Sequence, residues 1–118
     1  MHDRQRYFRS LSVGCLFAAL FTGAVCAQTT SGTITGTITD QSGAVVPDAK
    51  IKLIDELTKD TREATGSESG EFVFAALRPS TYTVVVEKPG FQGFRRTGVV
   101  VATSERVALG AIRLTVGQ

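Results

Sequence analysis

The chain has 118 residues, with 13 Lys and Arg against 11 Asp and Glu, and 42% of its residues are hydrophobic. This length allows one small domain, and the charge balance provides no basic patch that would indicate a nucleic-acid partner. Both cysteines and the single histidine lie within the first 26 residues. The remaining chain therefore offers no disulfide framework, no zinc ligands of the common types and no Cys–His or Ser–His catalytic pair.

The first segment has the pattern of a secretory signal peptide. A positive n-region precedes an apolar run at residues 11–22, which is shorter than the ~20 residues of a membrane-spanning helix. Val25 and Ala27 place small residues before a cleavage site. We predict a signal peptide at residues 1–27 and a polar leader at 28–32. The n-region contains the arginines Arg4, Arg6 and Arg9.

Two alternatives for this segment are weaker. An uncleaved membrane anchor would need a longer apolar run, and a lipid anchor on Cys26 would need a smaller residue than Val25 before the cysteine. We therefore predict a secreted chain, in the periplasm, at the outer-membrane surface or outside the cell, with no stable membrane insertion after cleavage. The mature chain then has equal numbers of basic and acidic residues.

The mature chain reads as about seven short strands separated by Gly, Pro and Ser turns. Apolar and polar residues alternate in each strand, and β-branched residues are frequent, as a half-buried pleated surface requires. The 61–64 segment lacks an apolar stripe at helical spacing, so we predict an exposed strand there rather than a helix. The predicted strands lie at 33–40, 49–54, 61–64, between Gly70 and Arg78, between Ser80 and Pro89, at 97–101 and at 106–116.

The stretch at residues 69–91 is the strongest strand signal and reads as two strands in a hairpin. Phe72 and Phe74 lie on the same face of the strand before Arg78, and Tyr82 is the first inward residue of the strand after Ser80. We assign these aromatic side chains to the core and expect the Tyr82 hydroxyl to bind a backbone group. We expect Phe91, which follows the Pro89-Gly90 turn, to cap the core.

Two glycines carry local predictions. Gly36 lies on the apolar face of the first strand, so another group should pack closely over it. Gly110 separates two phases of the last strand, with Val107 and Leu109 before it, and a β-bulge there would return both phases to one face. The second phase comprises Ile112, Leu114 and Val116.

The order of these residues resembles the carboxypeptidase regulatory-like domain family. The resemblance covers residues 32 to about 116, with one departure at Ser80, where the family has a Gly after the Pro of the turn. It implies a domain at 33–116 that folds as a single transthyretin-like (prealbumin-like) β-sandwich of about seven strands. The matching positions are Gly36-Thr-Ile-Thr-Asp40, Gly43, Pro47, Ala49, Ile51, Gly70-Glu-Phe72-Val-Phe74, Leu77, Pro79, Tyr82, Val84, Val86 and Gly90-Phe91.

The resemblance implies an accessory module without catalysis, and from the residues of the mature chain we predict no cofactor and no metal. Members occur at the N-terminus of TonB-dependent outer-membrane transporters and on secreted enzymes, and the wider superfamily includes carbohydrate-binding-like folds. We therefore predict a structural or protein-interaction role at the cell envelope. The alternatives are a carbohydrate-binding module and a truncated N-terminal extension of a transporter. No transporter domain follows residue 118, so we expect no transport by this chain alone.

Candidate ligand-binding residues are few. Phe94 is the best candidate for an exposed aromatic ring, and Arg95 and Arg96 follow it, so these three are the predicted ligand contacts. The partner would be a protein or a polysaccharide of the envelope, and the sequence does not define the oligomeric state. Calcium, which needs only oxygen ligands, is a weaker hypothesis. Asp40 is more simply the first residue of an Asx turn, and residues 97–101 could form a sheet edge open to a partner strand.

Overall fold

The computed structural model describes residues 31–117, so the predicted signal peptide and most of the leader lie outside the described residues. The described chain is all-β, and its seven strands confirm the predicted fold class. Across residues 31–117, no helix has the length and hydropathy needed to cross a membrane. The strands are β1 (Gly32–Thr39), β2 (Lys50–Asp55), β3 (Thr61–Thr65), β4 (Glu71–Leu77), β5 (Ser80–Glu87), β6 (Phe94–Val101) and β7 (Arg106–Arg113).

The strands form two sheets that pack into a sandwich. The three-stranded sheet has the order β4-β1-β7, and the four-stranded sheet has the order β3-β2-β5-β6. All neighbouring strands are antiparallel except β1 and β7, which are parallel. Parallel pairing requires a connection that crosses over, and here the intervening chain passes through the other sheet.

The core lies between the sheets and follows the predicted alternation. Phe72 and Phe74 are buried, with their rings 6.0 Å apart in an edge-on arrangement. Val99 and Val101 are buried while Val100 is 63% exposed, as the alternating pattern of residues 97–101 predicts. The core comprises Ile34, Ile38, Val46, Ala49, Ile51, Leu53, Phe72, Phe74, Leu77, Tyr82, Val84, Val86, Val99, Val101, Ile112 and Leu114.

The hairpin prediction for residues 69–91 is wrong, although both strands are present. β4 pairs with β1 in one sheet, and β5 pairs with β2 and β6 in the other. The Arg78-Pro79 turn therefore carries the chain across the sandwich. Alternation along a strand shows which face is buried but not which strand lies beside it.

Two strand ends also differ from the sequence prediction. β2 continues in phase to Asp55, one residue beyond the predicted end of the strand at 54, and Asp55 is only 4% exposed. β7 ends at Arg113, and Val116 is 66% exposed rather than part of the inner face. In both places contacts with other parts of the chain determine where the strand ends. Hydrogen bonds allow Asp55 to be buried, and Val116 forms an isolated bridge with Phe91.

Both glycine predictions for the three-stranded sheet are confirmed. A Cβ on Gly36 would lie 2.6 Å from the Phe72 ring, which is its cross-strand partner. The register of β1 and β7 shifts by one extra residue between Ala108 and Ala111, and Gly110 between them has φ of 70°. This bulge places Ile112 in the core.

One side of the sandwich is closed by Arg62. This β3 side chain donates a hydrogen bond of 2.7 Å from Nη1 to the carbonyl oxygen of Ala75 at the free edge of β4. Its guanidinium carbon also lies 5.9 Å from the centre of the Phe74 ring, a distance at which a cation and an aromatic face attract. Arg62 therefore links the β3 and β4 edges of the two sheets.

Candidate functional site

An open groove lies at the end of the four-stranded sheet where β2 begins and β5 ends. Its volume is about 510 Å³, within the ~300–1,000 Å³ of typical ligand pockets. We call it the β5–β6 groove. It is lined by Asp48, Lys50, Glu87, Lys88, Pro89, Phe91 and Gly93.

Strand register places two charged side chains of the groove side by side. Lys50, the first residue of β2, lies opposite Glu87, the last residue of β5. Oppositely charged cross-strand neighbours attract weakly, by about 0.2–1 kcal/mol relative to an Ala pair. Asp48 precedes β2 with φ of 59°, a left-handed conformation that Asp tolerates better than most residues. The sheet thus fixes the backbone of Lys50 and Glu87, two of the four charged residues that line the groove.

The β5–β6 turn forms the aromatic part of the groove. The Phe91 N–H donates to the Lys88 carbonyl (3.0 Å), and Gly90 has φ of 87°. The Phe91 side chain is half-buried and packs against the core, as predicted. The Gln92 N–H donates to the Thr115 carbonyl (2.8 Å), so the turn is held from both sides. The groove is therefore built on fixed backbone.

The charged side chains of the groove contribute little to the fold. Two are acidic and two are basic, so the groove is mixed in sign and neutral overall. None of them takes part in the side-chain hydrogen bonds found within residues 31–117, which are concentrated elsewhere. Their hydrogen-bonding capacity is available to solvent or to a partner.

The opposite end of the same sheet is arranged differently. We call it the Asp55 corner, and it comprises Asp55, Glu56, Arg78, Ser80 and Tyr82. Asp55 Oδ1 accepts bonds from the Ser80 hydroxyl (2.8 Å) and the Leu57 N–H (2.9 Å). The Tyr82 hydroxyl donates to the Arg78 carbonyl (2.6 Å), as predicted. These bonds tie β2, β5 and the two adjoining turns together.

The carboxyl groups of the Asp55 corner have shifted pKa values. Burial raises the pKa of Asp55, but the Ser80 hydroxyl and nearby backbone N–H groups outweigh it, so the pKa lies below its ordinary value. The Gly98 N–H and then the Thr83 hydroxyl lower the pKa of Glu56. Burial and then the Asp55 charge raise the pKa of Tyr82. Both carboxylates are therefore stabilised in the charged form by the folded state.

The three ligand contacts predicted from sequence lie next to the groove rather than in it. Phe94 is the first residue of β6, and it is half-buried against the core, so the expectation of an exposed ring is wrong. Arg95 and Arg96 are exposed on β6, opposite Val85 and Val84. Gly93, one residue earlier, does line the groove. The sequence analysis did not single out the charged residues of the groove, which lie just before Pro89 (Glu87 and Lys88) and at the start of β2 (Asp48 and Lys50).

Asp40, which is named beside the calcium hypothesis above, is used by a turn. Asp40 Oδ1 accepts bonds from the Ser42 N–H (2.8 Å), the Ser42 hydroxyl (2.6 Å) and the Ala44 N–H (3.1 Å). The Ser42 hydroxyl is the largest cause of its lowered pKa. This is the predicted Asx turn. Within the described part of the chain, no three His, Cys, Asp or Glu side chains are grouped as metal ligands.

Comparison with known proteins agrees with the all-β fold. The carboxypeptidase regulatory-like domain model matches residues 33–115, most of the described chain. The chain belongs to the carboxypeptidase regulatory-like domain family. The family match indicates a regulatory-like, non-catalytic β-sandwich. No protein with a curated description matches the chain.

Solved structures share the fold at low sequence identity. A Bacteroides uniformis protein whose name refers to carbohydrate binding is 22% identical, with a TM-score of 0.57, over 70% of this chain and 40% of that chain. The Bacillus anthracis TIE protein is 18% identical, with a TM-score of 0.58, over 73% of this chain and 17% of that chain. The 3-chlorocatechol 1,2-dioxygenase of Rhodococcus opacus 1CP is 10% identical, with a TM-score of 0.58, over 74% of this chain and 60% of that chain. This chain therefore spans at most 60% of each of these three structures, and the likeness concerns the fold alone.

Proposed function

We propose that this chain is an exported, non-catalytic interaction module that binds an extended polypeptide of the cell envelope in the β5–β6 groove. The observation that carries the proposal is the set of four charged groove side chains that make no hydrogen bond within residues 31–117. Charged groups that contribute little to folding remain available for recognition. The non-catalytic part follows from the family, and export follows from the predicted signal peptide.

A polypeptide suits the groove for two reasons. The groove presents two cations, Lys50 and Lys88, and two carboxylates, and a peptide segment can supply carboxylates, cations and backbone amides together. Phe91 offers an apolar surface between the charges, although its ring is half-buried. A sugar-binding site would be expected to present a well-exposed aromatic platform, and neither Phe91 nor Phe94 is fully exposed.

Site-specific photocrosslinking in the native host tests the proposal. A benzophenone amino acid replaces Gly93, where an added Cβ meets no atom within 4 Å, so the bulky group fits. The matched control carries the same group at Leu57, which is 77% exposed at the other end of the sheet. Irradiation should yield a discrete adduct from position 93 in which mass spectrometry finds peptides of a second protein, and none from position 57.

A double substitution makes the test specific to the groove charges. Lys50→Glu with Glu87→Lys keeps the cross-strand pair and the net charge but reverses the arrangement of charge. We expect the position-93 adduct to disappear in this variant. The proposal is wrong if position 93 gives no adduct, if position 57 gives the same adduct, or if the charge reversal leaves the adduct yield unchanged.

Carbohydrate binding is the second candidate, and the Bacteroides uniformis neighbour named for carbohydrate binding favours it. Its 22% identity supports the shared fold only, so the sugar ligand is an analogy. A glycan array with the wild type, Phe91→Ala and Phe94→Ala would support it if the wild type binds and either variant loses binding. Equal absence of signal from all three proteins would dismiss it.

A further inference from the structure

Four residues of the described chain other than glycine have a positive φ, in the left-handed region that side chains seldom allow. Such a conformation costs free energy, so it persists only where the surroundings impose it, and it is concentrated at functional sites. Of the four, Asp48 is the residue that lines the β5–β6 groove. The four residues are Asp48 (59°), Lys59 (66°), Ala76 (55°) and Ser104 (56°).

Asp48 lies in the turn that leads into β2, directly after Pro47. A proline ring fixes φ at about −65°, and the φ of 59° at Asp48 then completes the pattern of a type II turn. Gly or Asn is the favoured residue at this third position of the turn. An aspartate there adds a charge that the turn itself does not require.

The turn is held by the residues on either side of it and not by the Asp48 carboxylate. The Val46 N–H donates to the Ile38 carbonyl (2.9 Å). The Ala49 carbonyl accepts the Gly66 N–H (2.9 Å), and both Val46 and Ala49 are buried. The side-chain hydrogen bonds found within residues 31–117 do not include Asp48. The fold therefore keeps a left-handed aspartate without using its carboxylate.

Asp48 also has no cross-strand neighbour to balance its charge. The pairing of β2 with β5 begins at Lys50, which lies opposite Glu87, and Asp48 precedes it with an exposed side chain. An ionised carboxylate only accepts hydrogen bonds, so a group that binds it must be a donor. A cationic donor gains most, because hydrogen bonds between charged groups are about twice as strong as neutral ones.

We propose that Asp48 determines the specificity of the β5–β6 groove by binding a Lys or Arg side chain of the extended polypeptide. The inference rests on the proposed function and adds the chemistry of the partner, which is a segment that bears a cation. The left-handed turn presents the carboxylate in the groove, and recognition accounts for keeping an aspartate where the turn favours Gly or Asn.

Photocrosslinking from position 93 tests the proposal with two variants and a control. Asp48→Asn keeps the shape of the side chain, and Asp48→Gly removes the side chain and fits a positive φ without steric cost. Both should unfold at the urea concentration of wild type or above it, and both should lose at least about tenfold in adduct yield, the scale of a close charge pair at an interface. Asp60→Asn removes an exposed carboxylate at the other end of the sheet and should keep the full yield.

A charge exchange identifies the cation on the partner. Mass spectrometry of the wild-type adduct locates the crosslinked partner peptide, and each Lys or Arg in it is replaced in turn by Glu. Asp48→Lys should lose the adduct with the unaltered partner, and Lys59 shows that a lysine adopts this backbone conformation here. One of the partner variants should restore the adduct with Asp48→Lys.

The outcomes separate this inference from the proposed function. Absence of an adduct in wild type overturns both. An adduct that persists in Asp48→Asn, or that Asp60→Asn reduces equally, overturns this inference alone. So does a set of partner variants in which none restores the adduct with Asp48→Lys. A lower unfolding midpoint in Asp48→Gly would also overturn it, because the carboxylate would then serve the fold.

Discussion

The two ends of the four-stranded sheet carry similar types of polar residue, but these side chains are hydrogen-bonded within the fold at one end only. At the Asp55 corner, the Asp55 carboxylate and the Tyr82 hydroxyl are bound within the chain. At the β5–β6 groove, Lys50 and Glu87 lie opposite each other on the same two strands, and their side chains are exposed. Polar groups at one end hold the fold together, and those at the other make no side-chain hydrogen bond within residues 31–117.

The difference arises from burial. Asp55 occupies an inward position of β2, so its charge needs bonded partners within the fold. Lys50 occupies an outward position of the same strand, where water satisfies it. Substitutions at the corner should therefore lower stability, and substitutions in the groove should alter binding alone.

The largest loss of stability is expected at Phe72, which lies in the core shared by both ends of the sheet. Phe72→Ala should lower the free energy of unfolding by about 3–5 kcal/mol, a large part of the ~5–15 kcal/mol available to a small domain. Urea unfolding measures it, and Phe74→Ala should behave alike. An unchanged unfolding midpoint in both variants would contradict the strand phase described above.

Tyr82→Phe should have an intermediate effect confined to the Asp55 corner. It removes the hydroxyl that donates to the Arg78 carbonyl and keeps the ring in the core. We expect a loss of about 0.5–1.5 kcal/mol in the free energy of unfolding. Urea unfolding of Tyr82→Phe beside wild type checks the value. Full wild-type stability would mean that the corner does not depend on this bond.

Asp55→Asn should change how stability depends on pH. The folded state lowers the pKa of Asp55, so this carboxylate stabilises the fold above its unfolded pKa of about 3.9 and loses that contribution as the pH falls through the folded value. The melting temperature of wild type should therefore fall between about pH 5 and pH 2, and that of Asp55→Asn should fall less. Asp48→Asn in the groove is the control. Parallel profiles for wild type and Asp55→Asn would contradict the prediction.

The smallest stability effect is expected in the groove. Lys50→Glu with Glu87→Lys exchanges two exposed side chains and keeps their pairing, so the free energy of unfolding should change by less than about 0.5 kcal/mol. The same urea experiment measures it. A loss as large as that of Tyr82→Phe would show that the groove charges serve the fold.

Sequence was most informative where one residue dictates local geometry. The alternation around Phe72 and Tyr82 predicted the core, and Gly110 predicted the bulge of β7. Strand neighbours were not predictable in this way, because alternation is the same whether β4 pairs with β5 or with β1. The groove was not predictable either, because Lys50 and Glu87 are 37 positions apart in the sequence and are brought together only by the register of β2 and β5.

The central claim is that the groove charges act on a partner and not on the fold. The yield of the photocrosslinked adduct from position 93 tests it most directly, compared between wild type and the Lys50→Glu/Glu87→Lys variant at equal protein level. The account predicts a protein adduct in wild type and its loss in the variant, although both unfold at the same urea concentration. Equal adduct yields from the two proteins would contradict it.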